Sequence, residues 1–165
     1  MKNVFKGKRL NIFTGDKTMP DGSRAYHEEV RHPGASLIVP FLKNKVVMIH
    51  QYRAVIDKYI WELPAGVLEP DETPANCAKR EVTEETGYIV KAVKKLGFIY
   101  TTPGFTNEVI HIFSAVCALK THHRREPDEF IKIKLMSKKQ VKGLFLKGKI
   151  HDSKTLAALK LAEII

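Results

Sequence analysis

Cysteine is nearly missing from this chain. Two in 165 residues, Cys77 and Cys117, cannot build a disulfide framework, so a reducing compartment is expected. Long apolar runs are missing too, since none approaches the roughly 20 residues that a membrane-spanning helix requires. The opening MKNVFKGKRLNIF carries charge but no uninterrupted apolar core of the kind a secretion signal has. A cytoplasmic protein with no membrane partner is therefore the expectation. Internal repeats, low-complexity tracts and linkers are also lacking, so residues 1–165 are expected to form one domain, long enough for a proper core. Acidic residues are in deficit: 18 Asp and Glu face 28 Lys and Arg, a net charge of +10. That surplus suits an anionic substrate or a nucleic acid, and equally serves solubility. His111 and His123 have no metal-ligand spacing with another His or Cys and are read as non-functional.

What is present is a globular balance, 44% hydrophobic and 28% charged, which argues against disorder. Residues 9–13 and 23–30 alternate and flank the turn-rich Met19-Pro20-Asp21-Gly22, predicting an exposed hairpin within residues 1–32. After the breaker His32-Pro33-Gly34, residues 35–42 and 45–52 read as two central strands, and 59–63 as a short one. One or two strands are expected over 89–100, then a buried strand at 109–119 and another at 130–135. Ser137 should cap a helix over 138–145, and Asp152 a last helix over 153–164. Strands interleaved with few helices indicate an α/β fold, a mixed sheet covered on both faces.

The chain is organised around residues 66–88, GVLEPDETPANCAKREVTEETGY. Thr73 can cap a helix whose first turn holds Pro74, and Gly87 suits the left-handed residue that ends it. Glu81, Glu84 and Glu85 then stand at i, i+3 and i+4 on one face, beside an apolar stripe of Ala75, Ala78 and Val82. Like charges at these spacings repel by about 0.2–0.5 kcal/mol per pair. In the last turns they also oppose the helix dipole, by about 0.3–1 kcal/mol each. A solvated acidic face is one reading. The other is a site for a hard divalent cation, which takes oxygen ligands from carboxylates and substrate phosphates.

From Gly66 the pattern runs Gly, five residues, Glu72, seven residues, Arg80-Glu81-Val82, one residue, Glu84-Glu85, one residue, Gly87-Tyr88. It resembles the signature of the Nudix hydrolases at every fixed position, and a chance match at one start is on the order of one in 10⁹. Outside it, His32-Pro33-Gly34-Ala35, Gln51-Tyr52-Arg53, Trp61-Glu62-Leu63-Pro64-Ala65-Gly66 and Pro103, sixteen residues past Gly87, resemble the ADP-ribose pyrophosphatase and nucleoside diphosphate sugar branch.

The resemblance implies a Nudix-type α/β/α sandwich with an N-terminal hairpin extension. It also implies hydrolysis of a nucleoside diphosphate joined to another group, with Mg²⁺ or Mn²⁺. Glu81 and Glu85 look like the main metal ligands, with Glu84 and the Ala65 carbonyl beside them. Arg80 resembles an arginine bracing a catalytic glutamate, and Glu72 looks structural. Arg53 is a candidate for gripping phosphate or ribose, and Pro103, Gly104, Phe105 and Glu108 for lining the substrate site. Phe105 could instead anchor the loop, and Glu108 could stabilise it. For the general base, Glu126-Pro127-Asp128-Glu129 occupies the place of a mobile acidic loop, leaving Glu126 or Glu129 as base and Glu129 as a further metal ligand. Box glutamates alone could also suffice. A homodimer is implied as well, with the 1–32 hairpin exchanged and Tyr26 and Phe5 available for stacking.

Three functions follow. The first is ADP-ribose hydrolysis to AMP and ribose 5-phosphate. The second keeps the box but acts on nucleoside triphosphates or capped RNA, although no patterned aromatic platform for bases is visible in the sequence, so a nucleic-acid partner is not expected. The third is a sensing domain without turnover, against which the unbroken carboxylate set argues.

Overall fold

The computed structural model describes residues 1–7, 10–120 and 130–165. The strands are β1 (Lys2–Lys6), β2 (Asn11–Thr18), β3 (Arg24–Arg31), β4 (Ala35–Leu42), β5 (Lys45–Arg53), β6 (Lys58–Glu62), β7 (Ala65–Val67), β8 (Tyr88–Tyr100), β9 (Val109–Lys120) and β10 (Ile131–Ser137). The helices are α1 (Pro74–Thr86), α2 (Lys138–Leu146) and α3 (Ser153–Leu161), and a 3₁₀ turn spans Ala54–Ile56.

Strands β1–β2–β3 form a separate antiparallel sheet, while β4–β10 make a seven-stranded mixed sheet of order β10-β5-β4-β9-β8. In the large sheet β6 adds to β5 and β7 to β4, and β4 runs parallel to β9. Alternation along the central strands sorts side chains to two faces. Leu37, Val39, Val46, Met48, Ile110 and Ile112 pack with Val141 of α2 and Leu159 of α3. Ile38, Val47, Phe113, Ala115 and Cys117 pack with Ala78 and Val82 of α1. One helix therefore covers one face and two cover the other, the expected α/β/α sandwich.

The N-terminal hairpin is β2–β3, and it carries a third strand, β1, that the sequence reading did not include. All five residues of β1 are exposed, so no buried face imposes the alternation by which strands are read. The 89–100 segment is one strand, with register shifts at Tyr88/Ile89, Val90/Ala92 and Lys95/Gly97 that interrupt its pattern. The small sheet is tied to the large one through Val30, whose N–H donates to the Phe105 carbonyl at 2.8 Å. Asn107 completes the join: its Oδ1 accepts from the His32 N–H at 2.7 Å and its Nδ2 donates to the His32 carbonyl at 3.3 Å. The 120–130 connection, with Glu126 and Glu129, lies outside the described residues, as does His123. Among the described residues no helix is long and apolar enough to cross a membrane.

Candidate active site

Helix α1 begins and ends on local chemistry. Thr73 is extended and its hydroxyl accepts from the Asn76 N–H at 3.3 Å, Pro74 opens the first turn, and Gly87 closes the last at φ 73°. Ser36, beneath the first turn, donates to the Pro74 carbonyl at 2.8 Å. Burying Ala78 and Val82 fixes the helix's rotation. That rotation brings Glu81 and Glu85 to 8% and 2% exposure at the edge of the core, and leaves the Glu84 side chain 37% exposed.

Arg80 organises the carboxylates. Its Nε and one terminal nitrogen donate to the two oxygens of Glu72 at 2.9 and 3.0 Å. Its other terminal nitrogen donates to Glu81 at 2.6 Å and Glu84 at 3.0 Å, and a further bond reaches the Val67 carbonyl at 3.1 Å. The Arg80 hydrogen bonds hold the Glu72 carboxyl below its ordinary range, and the Glu72 bond pushes the Arg80 pKa up. Glu72 also accepts from the Glu69 N–H at 3.2 Å, which pins the loop ahead of α1. Three carboxylates thus share one guanidinium.

Strand β7 packs directly under this face. The Ile38 N–H donates to the Pro64 carbonyl at 3.0 Å, which marks Leu37 and Ala65 as a non-hydrogen-bonded pair and turns the Ala65 carbonyl away from β4. Beside it, Gly66 leaves room for Glu81: a Cβ built there would stand 1.8 Å from Glu81 Oε1 and 2.0 Å from its Cδ. Gly66→Ala is expected to expel the Glu81 carboxylate, cost about 1–3 kcal/mol of stability and abolish most turnover. Thermal unfolding and a rate assay check this, and a fully active alanine variant would contradict it.

Those residues fit a hard divalent cation in chemistry, since the donors are all oxygen and their charge is in excess. They are not gathered for one in advance. Among the described residues no three Asp, Glu, His or Cys side chains stand close enough to hold a metal. Glu81 and Glu84 are turned onto Arg80 instead, so the expected ligand cluster forms only if they exchange Arg80 for the ion.

Arg53, at the end of β5, does not stand free as a strand-end charge. Its Nε and a terminal nitrogen donate to Glu62 at 2.8 and 2.5 Å. Glu62 is 1% exposed and also accepts from Lys154 of α3 at 3.2 Å, while Lys154 donates to Asp152 at 2.7 Å. Glu62 pushes the Arg53 pKa up, and the charges of Glu85 and Asp152 add to the shift, so Arg53 lies within the electrostatic reach of Glu85. With its side chain 39% exposed, Arg53 keeps a solvent-facing edge.

The 101–108 loop is placed less directly. Glu108 closes it, accepting from the Thr101 hydroxyl at 2.8 Å with its other oxygen 3.6 Å from His32 Nδ1. Pro103 and Gly104 are exposed in its turn, and nothing lies within 4 Å of a Cβ built at Gly104. Phe105 is 54% exposed; its backbone rather than its ring is the anchor. The loop reaches the box through residues 32–34, where the Gly34 carbonyl accepts from the Leu68 N–H at 3.1 Å. Tyr26 and Phe5 are exposed on the small sheet, at 64% and 52%. Burial pushes the His111 pKa down, as does Lys95.

Sequence reading missed three participants. Glu62 sits within Trp61-Glu62-Leu63-Pro64-Ala65-Gly66, but nothing there announces Arg53 as its partner. Lys154 reaches Glu62 across 92 residues of chain. Cys77 is buried under the box, its Sγ 3.5 Å from the Gly66 carbonyl and 3.6 Å from that of Val67. Burial pushes its pKa up to about 11, so it is a thiol there and no nucleophile.

Comparison with known proteins matches residues 30–159 to the model of the NUDIX domain. The chain belongs to the Nudix family. An ADP-ribose pyrophosphatase of Bacillus subtilis is 32% identical, over 99% of this Nudix chain and 90% of its own. A methanol dehydrogenase activator of Bacillus methanolicus is 34% identical over the same shares, 99% and 90%. A GDP-mannose pyrophosphatase of Cronobacter sakazakii is 34% identical over 92% and 85%. Among solved structures, that of an ADP compounds hydrolase superposes with a TM-score of 0.85 at 20% identity, covering 98% of this chain and 89% of that one. At that identity it bears on the fold alone, and it agrees with the sandwich described above.

Proposed function

We propose that this Nudix hydrolase cleaves the pyrophosphate bond of nucleoside diphosphate sugars, with ADP-ribose as its preferred substrate. The observation that carries the reading is the Glu81 carboxylate seated against Gly66, with Arg80 bracing Glu72, Glu81 and Glu84 around it. The Bacillus subtilis relative named ADP-ribose pyrophosphatase, matched over 99% of this chain, supports the choice of substrate. Water adds across the P–O–P bridge: one phosphorus–oxygen bond forms, the bridging bond breaks, and AMP and ribose 5-phosphate leave.

Nudix hydrolases generally need a divalent metal, usually Mg²⁺; here Glu81, Glu85, Glu84 and the Ala65 carbonyl would hold it. Bound there, it would neutralise phosphate oxygens and lower the pKa of water. The chain's own residues do the rest. Arg53, oriented by Glu62, offers paired N–H groups to phosphate oxygens. Arg80 holds Glu72, Glu81 and Glu84 on one guanidinium. Glu126 or Glu129 would take the proton from water, and Glu129 would add a metal ligand. Pro103, Gly104 and Phe105 line the sugar end, while Glu108 holds their loop.

The protein is further proposed to act as a cytoplasmic homodimer through the small sheet, where Val4, Phe5, Leu10 and Tyr26 are exposed. A second reading, GDP-mannose as preferred substrate, is favoured by the Cronobacter relative at 34% identity. A panel of ADP-ribose, GDP-mannose and other nucleotide sugars with Mg²⁺, products identified by chromatography, separates the two. No nucleoside monophosphate from any of them would sink both. Arg53→Ala should lower kcat/KM about 10–100-fold, mainly through KM, since a charge-assisted contact contributes about 1.5–3 kcal/mol. An unchanged KM would remove Arg53 from the substrate site.

A further inference from the structure

The open end of the sheet on the α2/α3 side carries aromatic rings from β5, from β6 and from Phe130, just ahead of β10. His50 lies opposite Trp61 and Tyr52 opposite Tyr59, and Lys132 of β10 lies opposite His50 from the other side. Residues opposite one another share a face. Their contacts agree: His50 stacks on Trp61 at 4.4 Å, Tyr52 and Tyr59 are 5.3 Å apart, and Tyr52 meets Phe130 edge-on at 6.4 Å. Tyr59 and Phe130 remain 43% and 59% exposed, and Lys132 Nζ stands 5.4 Å over the Tyr59 ring.

Lysines continue from the rings along β10 into α2. Between residues 130 and 151 the chain has seven lysines and no Asp or Glu. All seven are exposed, and among the described residues none makes an ion pair with a carboxylate. Lys134 and Lys147 flank a groove of about 320 Å³ between β10 and α2, floored by Leu135, Met136 and Leu144. Among the described residues the acid bonded to these rings is Asp57, which accepts from the Tyr52 hydroxyl at 2.6 Å. α1 packs on the opposite face of the sheet.

We propose that this face of β5, β6 and β10 is a docking surface for single-stranded RNA, separate from the hydrolytic site. Exposed rings on neighbouring strands accept unstacked bases, and lysines along one side track the phosphates. RNA offers such a surface the unpaired bases of its loops and single-stranded ends. A protein partner would have to supply a dense run of carboxylates and planar groups together. A bilayer would leave the polar edges of His50 and Tyr52 without a role.

Fluorescence anisotropy with a labelled 12-nucleotide oligouridylate and the intact protein tests this. Tyr59→Ala and Phe130→Ala should each weaken binding about tenfold, and their exposure means neither truncation opens the core. Lys132→Gln with Lys134→Gln should flatten the dependence of log K on log salt by about 1.4. Tyr59→Ala, Lys132→Gln and Lys134→Gln should leave nucleotide-sugar hydrolysis unchanged, which distinguishes this surface from the catalytic one. Failure to bind the oligouridylate at 50 mM salt would overturn the proposal. So would equal binding of a deoxythymidine oligomer or of inorganic polyphosphate, or binding indifferent to the two ring truncations.

Discussion

Glu85→Gln should lower kcat by about 10³-fold and leave the protein folded. The substitution keeps the shape of a side chain that is 2% exposed, so packing against the core is preserved while one negative charge is lost. A carboxylate that helps neutralise a transferring phosphoryl group is worth several kcal/mol, and each 1.36 kcal/mol is a factor of ten in rate. The same change should weaken Mn²⁺ binding and shift the Arg53 environment, because Glu85 contributes to the field that Arg53 feels. Circular dichroism would report the intact fold, and single-turnover release of AMP the lost rate. Wild-type turnover by Glu85→Gln would remove this helix face from the chemistry.

Arg80→Ala should be the most destabilising single change at the site, and the loss should be partly reversed by Mg²⁺. Removing the guanidinium leaves Glu72, Glu81 and Glu84 facing one another with no cation between them. Breaking a fully buried pair costs about 3–5 kcal/mol, and partial exposure reduces this to about 2–3 kcal/mol here. A divalent ion that binds only the folded state at 100 times its Kd restores about 2.7 kcal/mol. Metal should therefore raise the Tm of the variant more than that of the parent.

The pH dependence follows from Glu72, which Arg80 holds below its ordinary value of 4.5. A depressed carboxyl contributes stability that is present above 4.5 and lost as the pH falls through its lower folded value. Arg80→Ala should weaken that acid limb, which denaturation melts between pH 3 and pH 6 would register. Arg80→Lys keeps the charge but not the fork, and should fall between the two. Equal metal stabilisation of variant and parent would contradict the exchange of Arg80 for an ion.

How much of this was legible in sequence depends on whether the signal is local. Thr73, Pro74 and Gly87 mark the ends of α1 by their own backbone preferences, and Ser137 and Asp152 mark the starts of α2 and α3, so those boundaries were readable, whereas α3 ends at Leu161, short of the expected 164. Spacing alone put Glu81, Glu84 and Glu85 on one face. It could not say that the Gly66 position is filled by the Glu81 carboxylate, because that contact depends on β7 pairing with β4. Arg53 was readable as a candidate for gripping phosphate, but its partner was not, because Glu62 reaches it only through the pairing of β5 with β6, and Lys154 only through α3. The aromatic platform was invisible for the same reason: residues 50, 59 and 130 become neighbours only through the order β10-β5-β6. Strand β1 escaped because both its faces are exposed, leaving no periodicity to detect.

The most direct test is anomalous diffraction from crystals soaked with Mn²⁺ and a non-hydrolysable ADP-ribose analogue. A peak bounded by Glu81, Glu85 and the Ala65 carbonyl, with Arg80 withdrawn from Glu81, is the expected result. Mn²⁺ density elsewhere, with Glu81 still bonded to Arg80 and the analogue bound, would contradict the account.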